Sequence, residues 1–365
     1  MTTKTRIPAA LVGRAACTAL GMGLVLGMAA CAGPSSATGG ASKDEGAATE
    51  VHVGYFANVT HAPALVGAAG GYFAKELGST ALKTEVFNAG PAELEALNAG
   101  AIDIAFIGPS PAINGFVKSQ GKGLKIVAGA ASGGASLVVR DGIDTPEDLQ
   151  GTKIASPQLG GTQDVALRVW LADQGYTSDL QGGGDVAVTP TENAQTLQLF
   201  QNGELDGGWL PEPWASRLVL EAGAHVLVDE KDLWPDGRFV TTNVIVRSDF
   251  LTDHPETVEA VLRGEVAAIK ALQDDPAGSA KLVNDEIAKA AGKPLSQDIL
   301  DSAFQNIEFT ADPIASTLQT QLDHGVKAGT TQDADLHGIY DLRLLNKVLA
   351  ADGQEKVSAS GLGEE

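Results

Sequence analysis

The chain has 365 residues and a formal net charge of −21 at pH 7, with 44% hydrophobic residues. A surface of that charge repels nucleic-acid phosphates and anionic lipid head groups, so the composition argues against a nucleic-acid-binding role. The only cysteines are Cys17 and Cys31. The chain beyond residue 31 is therefore predicted to have no disulfide, thiol nucleophile or thiolate metal site.

The first thirty residues are typical of a secretory signal peptide. Lys4, Arg6 and Arg14 precede an uncharged run of small and apolar residues that is too short to span a membrane. The run ends in Met28-Ala-Ala-Cys31, which resembles a bacterial lipobox with Met in place of the commoner Leu. We expect Cys31 to be lipidated and to hold the protein at the outer face of the cell membrane. Ordinary signal cleavage beside an incidental cysteine is the alternative.

Residues 31–50 are rich in Gly, Ala, Ser and Thr, which predicts a flexible tether. Strands then alternate with helices, which favours an α/β fold with largely parallel sheets. Predicted strands cover 51–56, 82–87, 102–107, 125–130, 135–140, 153–156, 186–189, 205–210, 226–229 and 239–247. Predicted helices cover 64–77, 91–98, 161–174, 191–202, 214–221, 258–272, 277–288, 298–304 and 314–326.

The body is long enough for two lobes. We assign residues 51–141 and 242–356 to lobe 1 and residues 142–241 to lobe 2. The two chain crossings, placed near Arg140 and Thr241, would form a hinge.

Two segments of the chain resemble each other. Gly100-Ala-Ile-Asp103 leads through an apolar strand into Gly108-Pro-Ser-Pro, and Gly203-Glu-Leu-Asp206 leads through a similar strand into Pro211-Glu-Pro-Trp. Each pattern predicts a turn, a short buried strand and an abrupt loop. Because ligands bind at the carboxyl ends of strands in open α/β sheets, each lobe would offer one such loop to a shared cleft.

The most specific local signal is Ser156-Pro-Gln158-Leu-Gly-Gly161-Thr162-Gln163-Asp164. A strand ends there, two glycines allow close approach to a ligand, and Thr162 is placed to cap the next helix. The helix N-terminus with Gln163 would face the cleft as an anion site. Asp164 weakens this interpretation because it already complements the dipole; it could instead receive an amino group of the ligand.

Three other features of the sequence bear on its chemistry. Ser110 lacks the glycine of a nucleophile elbow, and Pro111 has no N–H for an oxyanion, so Ser110 is interpreted as a hydroxyl donor to a ligand and not as a nucleophile. The six histidines show no metal-ligand spacing, and only His61 lies in a strand-end loop facing the cleft. Trp209 and Glu212 follow the second repeat, and the Pro-Glu-Pro break should turn Glu212 outward.

With these motifs the chain resembles the substrate-binding proteins of ATP-binding-cassette importers for nitrate, taurine and aliphatic sulfonates, which include thiamine-precursor-type members. The likeness covers roughly residues 51–272 and includes Thr60-His-Ala-Pro and Glu212-Pro-Trp. It implies a two-lobe type II periplasmic-binding-protein fold with a hinge and an interlobe ligand cleft. The ligand contacts that it implies are Asn58, Thr60, His61, Gly108, Pro109, Ser110, Gln158, Gly161, Thr162, Gln163, Trp209 and Glu212. Ser132 and Thr242 are added from their positions at strand ends.

We therefore expect a lipid-tethered, monomeric receptor without cofactor, metal or enzyme activity. It would bind a small anion, an aliphatic sulfonate or taurine before nitrate, and deliver it to a membrane permease and its ATPase. The alternatives are a tethered secreted enzyme and a receptor for a thiamine-precursor-like heterocycle.

Overall fold

A computed structural model describes residues 46–365, and the predicted signal peptide, Cys31 and most of the tether lie outside this part. The described chain forms thirteen strands and thirteen α-helices. The strands are β1 Glu50–Phe56, β2 Ala81–Phe87, β3 Ile104–Ile107, β4 Leu124–Gly133, β5 Ala135–Val139, β6 Lys153–Ser156, β7 Ala187–Pro190, β8 Gly207–Pro211, β9 His225–Asp229, β10 Val240–Arg247, β11 Ile307–Phe309, β12 Tyr340–Asp341 and β13 Gly363–Glu364.

The helices connect these strands and form most of the last third of the chain. They are α1 Ala62–Ala69, α2 Tyr72–Leu77, α3 Gly90–Asn98, α4 Pro109–Lys118, α5 Thr162–Asp173, α6 Asn193–Gln201, α7 Trp214–Ala222, α8 Ser248–Asp253, α9 Pro255–Asp274, α10 Pro276–Ala291, α11 Gln297–Gln305, α12 Leu318–Lys327 and α13 Arg343–Ala351. No helix in the described range 46–365 is long and apolar enough to cross a membrane.

The strands form two sheets, and each sheet is the base of one lobe. The first sheet has the order β13-β12-β4-β10-β3-β1-β2 with β11 beside β4, and the second has the order β7-β6-β8-β5-β9. In each sheet three parallel strands are followed by one antiparallel strand and then by a strand that again runs parallel to the first three. These are β2-β1-β3, β10 and β4 in the first sheet, and β7-β6-β8, β5 and β9 in the second. The two lobes therefore share one topology.

The two aspartates of the sequence repeat occupy equivalent places in the two sheets. Asp103 Oδ2 accepts from the His52 N–H at 2.9 Å, and Asp206 Oδ2 accepts from the Lys153 N–H at 2.8 Å. Asp103 also pairs with Arg247, as Asp206 does with Arg140. Each carboxylate thus fixes the start of a neighbouring parallel strand and neutralises an arginine.

The chain first passes between the lobes at Gly133–Gly134, where β4 of the first sheet meets β5 of the second. Gly134 has a φ of +69°, and a Cβ there would lie 2.4 Å from Ile307 Cγ1, so glycine is needed on both counts. The prediction that residues 135–141 belong to lobe 1 and that the crossing lies near Arg140 is therefore corrected. The return crossing spans residues 230–239, between β9 and β10.

Side-chain alternation along the second sheet builds a core on each of its faces. Leu137 and Trp209 belong to one buried cluster, whereas their neighbours Val138 and Leu210 belong to another. This is the two-residue period of a sheet covered on both sides by helices. The first lobe has one larger cluster that extends from β1 to α13.

Two helical predictions needed correction. The segment predicted as one helix over 64–77 is divided into α1 and α2 at Gly70–Gly71, and Gly71 has a φ of +78°. Helix α4 was not predicted, because Pro109 and Pro111 suggested an irregular loop. Both prolines lie in the first turn of the helix, where the backbone N–H has no intrahelical acceptor and its loss costs little.

Candidate functional site

A polar cavity lies between the two lobes, at the carboxyl ends of strands from both sheets. It leaves about 40 Å³ for the centres of water molecules, room for roughly three ordered waters or a compact ligand group. Its lining residues are Phe56, Asn58, Thr60, His61, Asn88, Ala89, Gly90, Gly108, Pro111, Pro157, Gln158, Gly161, Thr162, Gln163, Asn193, Pro211, Thr241 and Thr242.

The N-terminal ends of five helical segments converge on this cavity. They are the 3₁₀ helix Val59–His61, which continues into α1, and the helices α3, α4, α5 and α6. None of their N-cap positions has a side-chain capping hydrogen bond. The positive dipole ends therefore favour an anion, together with the first-turn N–H groups that are not replaced by Pro91, Pro109 and Pro111.

The lining residues, all in the described part of the chain, include no Asp, Glu, Lys or Arg. His61 does not supply a charge, because complete burial lowers its pKa to about 3. The Phe56 N–H donates to His61 Nδ1 at 3.2 Å, so the proton of the neutral ring lies on Nε2. At neutral pH the cavity offers hydrogen bonds and helix dipoles but no full positive charge.

Three buried polar atoms at the cavity have no hydrogen-bond partner among the described residues: Gln158 Oε1, Thr162 Oγ1 and Asn193 Oδ1. Burying such a group unpaired costs about 1–3 kcal/mol, which a ligand can recover. The hydroxyl can donate or accept, and each amide has both a donor and an acceptor end. Thr162 lies opposite Gly108 of the other lobe, since a Cβ on Gly108 would be 2.3 Å from Thr162 Oγ1.

The prediction that Thr162 caps its helix is wrong, because Gly161 is the N-cap and Thr162 is the first helical residue. Asp164 is not free for a ligand either. Its carboxylate is fully buried and accepts from Ser156 Oγ at 2.7 Å and from Arg168 Nε at 3.0 Å. This internal ion pair neutralises Asp164, so its charge does not oppose an anion at the helix start.

The structure brings nine of the fourteen predicted ligand residues to one cavity. They are Asn58, Thr60, His61, Gly108, Gln158, Gly161, Thr162, Gln163 and Thr242. The other five, Pro109, Ser110, Ser132, Trp209 and Glu212, do not line it.

Trp209 is part of the core of the second lobe. Its side chain is fully buried, and the centres of the Trp209 and Trp170 rings are 6.0 Å apart. Trp209 Nε1 donates to Glu230 Oε2 at 2.7 Å. Burial raises the pKa of Glu230 to about 7 despite this bond. The prediction that Trp209 contacts the ligand fails because alternation along β8 turns its side chain into the sheet's packed face.

Glu212 is buried as well, so the prediction that it turns outward is wrong. Its Oε1 accepts from Ser216 Oγ at 2.9 Å and from Asn306 Nδ2 at 2.7 Å, and its Oε2 accepts from the Ser216 N–H at 3.1 Å. Burial raises its pKa, while these bonds oppose the rise. Because Asn306 follows α11 and precedes β11 of the first sheet, Glu212 links the two lobes and does not contact the cavity.

The remaining three residues are close to the cavity in sequence but contribute to the scaffold. Pro109 begins α4, and Ser110 is buried behind it with no hydroxyl partner among the described residues. Ser132 Oγ accepts from the Phe239 N–H at 3.3 Å. Ser132 therefore supports the return strand and does not face the ligand space.

Sequence reasoning missed half of the lining residues. They are Phe56, Asn88, Ala89, Gly90, Pro111, Pro157, Asn193, Pro211 and Thr241. A signal was present for Asn88 and Asn193. Asn88 stands between the predicted strand 82–87 and the predicted helix 91–98, and Asn193 lies in the first turn of the predicted helix 191–202, as Thr162 does in the predicted helix 161–174. No group of three or more metal-ligand side chains occurs in residues 46–365.

The chain is similar to a protein family and to several named binding proteins. The model of the NMT1-like family matches residues 44–287. The taurine-binding periplasmic protein of Escherichia coli (strain K12) is 29% identical over 207 residues, 56% of this chain and 62% of the relative. A putative aliphatic sulfonates-binding protein of Bacillus subtilis (strain 168) is 24% identical over 319 residues, 85% of this chain and 91% of the relative. The chain thus spans about three-fifths of the taurine-binding relative's length.

Solved structures show the same fold. The alkanesulfonate-binding protein SsuA from Xanthomonas axonopodis pv. citri, bound to MOPS, superposes with a TM-score of 0.65 at 22% identity, over 79% of this chain and 96% of that chain. The nitrate-binding protein NrtA from Synechocystis PCC 6803 gives 0.69 at 17% identity, over 83% and 89%. The predicted two-lobe periplasmic-binding-protein fold is confirmed. These relatives are named as binding proteins and not as enzymes.

Proposed function

The chain belongs to the NMT1-like family, and from that premise we propose that it is a receptor that captures a small anionic solute between its lobes outside the cytoplasm. It would deliver this solute to the permease and ATPase of an ABC importer. Relatives named for taurine and aliphatic sulfonates support this reading.

The observation that carries the proposal is the convergence of five uncapped helix N-termini on a cavity without charged side chains. Oriented N–H and O–H groups bind an anion without a countercharge, because fixed donors replace the hydrogen bonds that the anion gives up in water. A neutral site also releases its ligand without having to separate an ion pair, which suits transient capture.

Contacts from both lobes would couple binding to closure. Gly108 belongs to the first lobe and Thr162 to the second, and a ligand touching both is held only when the lobes meet. The ligand therefore stabilises the closed state by its differential affinity for that state.

We assign a sulfonate as the preferred head group. Its three oxygens can accept from donors arranged on several sides, as the five helix starts and the Thr162 hydroxyl are arranged here. Nitrate, a planar anion with three oxygens, is the next candidate.

One feature favours a second class of ligand, a thiamine-precursor-like heterocycle. The rings of Phe56 and His61 lie 4.3 Å apart at the cavity wall, and Gln158 and Asn193 present amide groups. A flat heterocycle could pack on the rings and pair its edge with the amides.

Calorimetry of the full-length protein in detergent tests these alternatives. We expect micromolar binding of taurine or a short alkanesulfonate, weaker binding of nitrate, and no chemical change in the recovered ligand. Binding of an aminopyrimidine thiamine precursor alone would replace the sulfonate assignment. Conversion of any ligand to product would refute the receptor proposal.

Lipid anchoring at Cys31 is a separate proposal that rests on the amino-terminal sequence. Cells expressing the protein would be labelled with a fatty-acid precursor and fractionated. The parent protein should carry label and remain with membranes, whereas Cys31→Ser should lose the label. Equal labelling of both proteins would contradict the assignment, and Cys17→Ser is the matched control because Cys17 lies inside the signal.

A further inference from the structure

A cavity separate from the polar one lies beside the return crossing between the lobes. We call it the hinge cavity; it leaves about 250 Å³ for the centres of water molecules, compared with about 40 Å³ in the polar cavity. It is lined by α5 of the second lobe, by the crossing at residues 230–234 and by His324 on α12 of the first lobe. The two cavities share no lining residue, so the hinge cavity offers a separate place for a ligand.

Three aromatic rings form much of the wall of the hinge cavity. Trp170 and Trp234 are buried, and the centre of the His324 ring lies 5.6 Å from that of Trp234. Trp170 packs against Trp209 with ring centres 6.0 Å apart, and Trp234 stacks on Phe239 with ring centres 5.5 Å apart. The core thus holds both indoles in place, and their π faces can attract a cation.

The charged groups that line the hinge cavity are carboxylates. Glu230 is 2% exposed and Asp173 lies at the exposed end of α5, whereas no Lys or Arg lines the cavity within residues 46–365. His324 adds no charge at neutral pH, because burial lowers its pKa. Lys327 on α12 pairs with Asp173 across the lobes. Glu230 therefore remains as the carboxyl without an ion-pair partner in the described part of the chain.

Glu230 is suited to be the countercharge of a bound cation. Its Oε2 accepts from Trp209 Nε1 at 2.7 Å, which fixes the position of the side chain. Burial raises its pKa to about 7, and a cation beside it would stabilise the ionised form. Leu233 is 49% exposed at the same cavity and adds an apolar surface that an alkyl group would cover. Both requirements are met by a positive charge on an apolar body.

We propose that the hinge cavity binds a small organic ammonium ion, whose charge is held by the rings of Trp170 and Trp234 and by the Glu230 carboxyl. Aromatic faces attract such an ion because its charge is spread over a largely apolar surface. An inorganic cation would be a poorer occupant, since the rings cannot replace the water oxygens that it gives up. The carboxylates repel an anion. This inference does not depend on the proposed function, because the polar cavity takes no part in it.

Titration calorimetry of the full-length protein in detergent with choline, at constant ionic strength, tests this proposal. The neutral analogue of choline, in which a carbon atom replaces the nitrogen, has nearly the same shape without the charge. It therefore separates recognition of the cation from burial of apolar surface. We expect choline to bind at one site and about tenfold or more tightly than the analogue, the scale of a desolvated cation–π contact.

Three variants locate the binding site. Glu230→Gln keeps an acceptor for Trp209 and removes the charge, so it should weaken choline binding about tenfold. Ala166→Phe should abolish binding by filling the hinge cavity, which Ala166 lines on α5. Ala172→Phe is the matched control, because it adds the same side chain to an exposed site on α5 that does not line the cavity. The control should keep the affinity of the parent, and urea unfolding shows whether each variant is folded.

The outcomes separate this inference from the proposed function. If choline does not bind, or binds no tighter than its neutral analogue, the hinge cavity is not a cation site and the proposed anion receptor is unaffected. The inference is also overturned if Ala166→Phe binds choline as tightly as Ala172→Phe, or if Glu230→Gln binds it as tightly as the parent. Choline binding that Ala166→Phe removes and Glu230→Gln weakens supports the inference, whether or not a sulfonate binds in the polar cavity.

Discussion

Replacing Thr162 with alanine should weaken ligand binding without weakening the fold. The Thr162 side chain is 5% exposed, and its hydroxyl has no partner among the described residues. In the free protein this hydroxyl carries a desolvation cost of about 1–3 kcal/mol. Its removal relieves that cost, whereas the lost methyl contact costs about 0.8 kcal/mol. We therefore expect a free energy of unfolding equal to or above that of the parent.

The affinity should change in the opposite direction. A hydrogen bond from a hydroxyl to a charged acceptor contributes about 1.5–3 kcal/mol, so its loss should raise the dissociation constant about 10- to 100-fold. Thr162→Ser keeps the hydroxyl and should stay within about threefold of the parent. Titration calorimetry with taurine and ethanesulfonate gives the affinities, and urea unfolding without ligand gives the stabilities.

The control for this pair is Thr317→Val, a buried threonine outside the cavity. Its hydroxyl donates to the Ile314 carbonyl at 2.8 Å, so the replacement should cost about 1 kcal/mol of stability and leave affinity unchanged. The reasoning is refuted if Thr162→Ala binds as tightly as the parent. It is also refuted if Thr162→Ala behaves like the control, with lower stability and intact affinity.

Three further predictions concern the scaffold. Burial lowers the pKa of His61 from 6.5 to about 3, so the fold holds the ring neutral and loses stability as the pH falls through 6.5 towards 3. In urea unfolding the parent should lose about 2 kcal/mol more than His61→Asn between pH 6.5 and 4.5, and parallel losses would contradict this. Trp209→Phe removes the hydrogen-bond donor to buried Glu230 and should lower the free energy of unfolding by about 1–3 kcal/mol in the same assay, with no change in ligand affinity. A weakened affinity would show that Trp209 contributes to ligand binding after all. Gly134→Ala should lower the melting temperature more than Gly142→Ala, because both glycines have positive φ but only a Cβ at Gly134 would meet a close neighbour. Equal decreases in melting temperature would show that packing at the crossing is unimportant.

The alternation of strands and helices could be predicted from the sequence because apolar periodicity is a local property. The boundaries failed where two local signals competed. Apolar residues continue through Gly70–Gly71 and hide the break between α1 and α2, and Pro109 and Pro111 hide the start of α4. In both places the deciding factor is a backbone requirement at one or two residues.

The candidate site could be predicted where the local sequence alone decides that a residue lies at the start of a helix. Gly161 and Thr162 stand at the start of a helix, so their N-terminal position follows from the chain itself. Glu212 was not predictable in this way, because Asn306, ninety-four residues later in the chain, supplies one of its bonds. A carboxylate after a strand looks the same in the sequence whether it meets a ligand or another lobe.

The two repeated segments have the same scaffold but differ in what their loops contact. Asp103 and Asp206 fix equivalent strands, and the loops that follow both reach the cavity, through Gly108 in one lobe and Pro211 in the other. Beyond that point they diverge. The first loop begins α4, whose N-terminus points at the cavity, whereas the second places Glu212 against Asn306 of the first lobe. The bound ligand and the Glu212–Asn306 hydrogen bond would therefore both stabilise the closed state. Ligand choice would therefore be set by the first loop and by α5, and the ease of closure by the second.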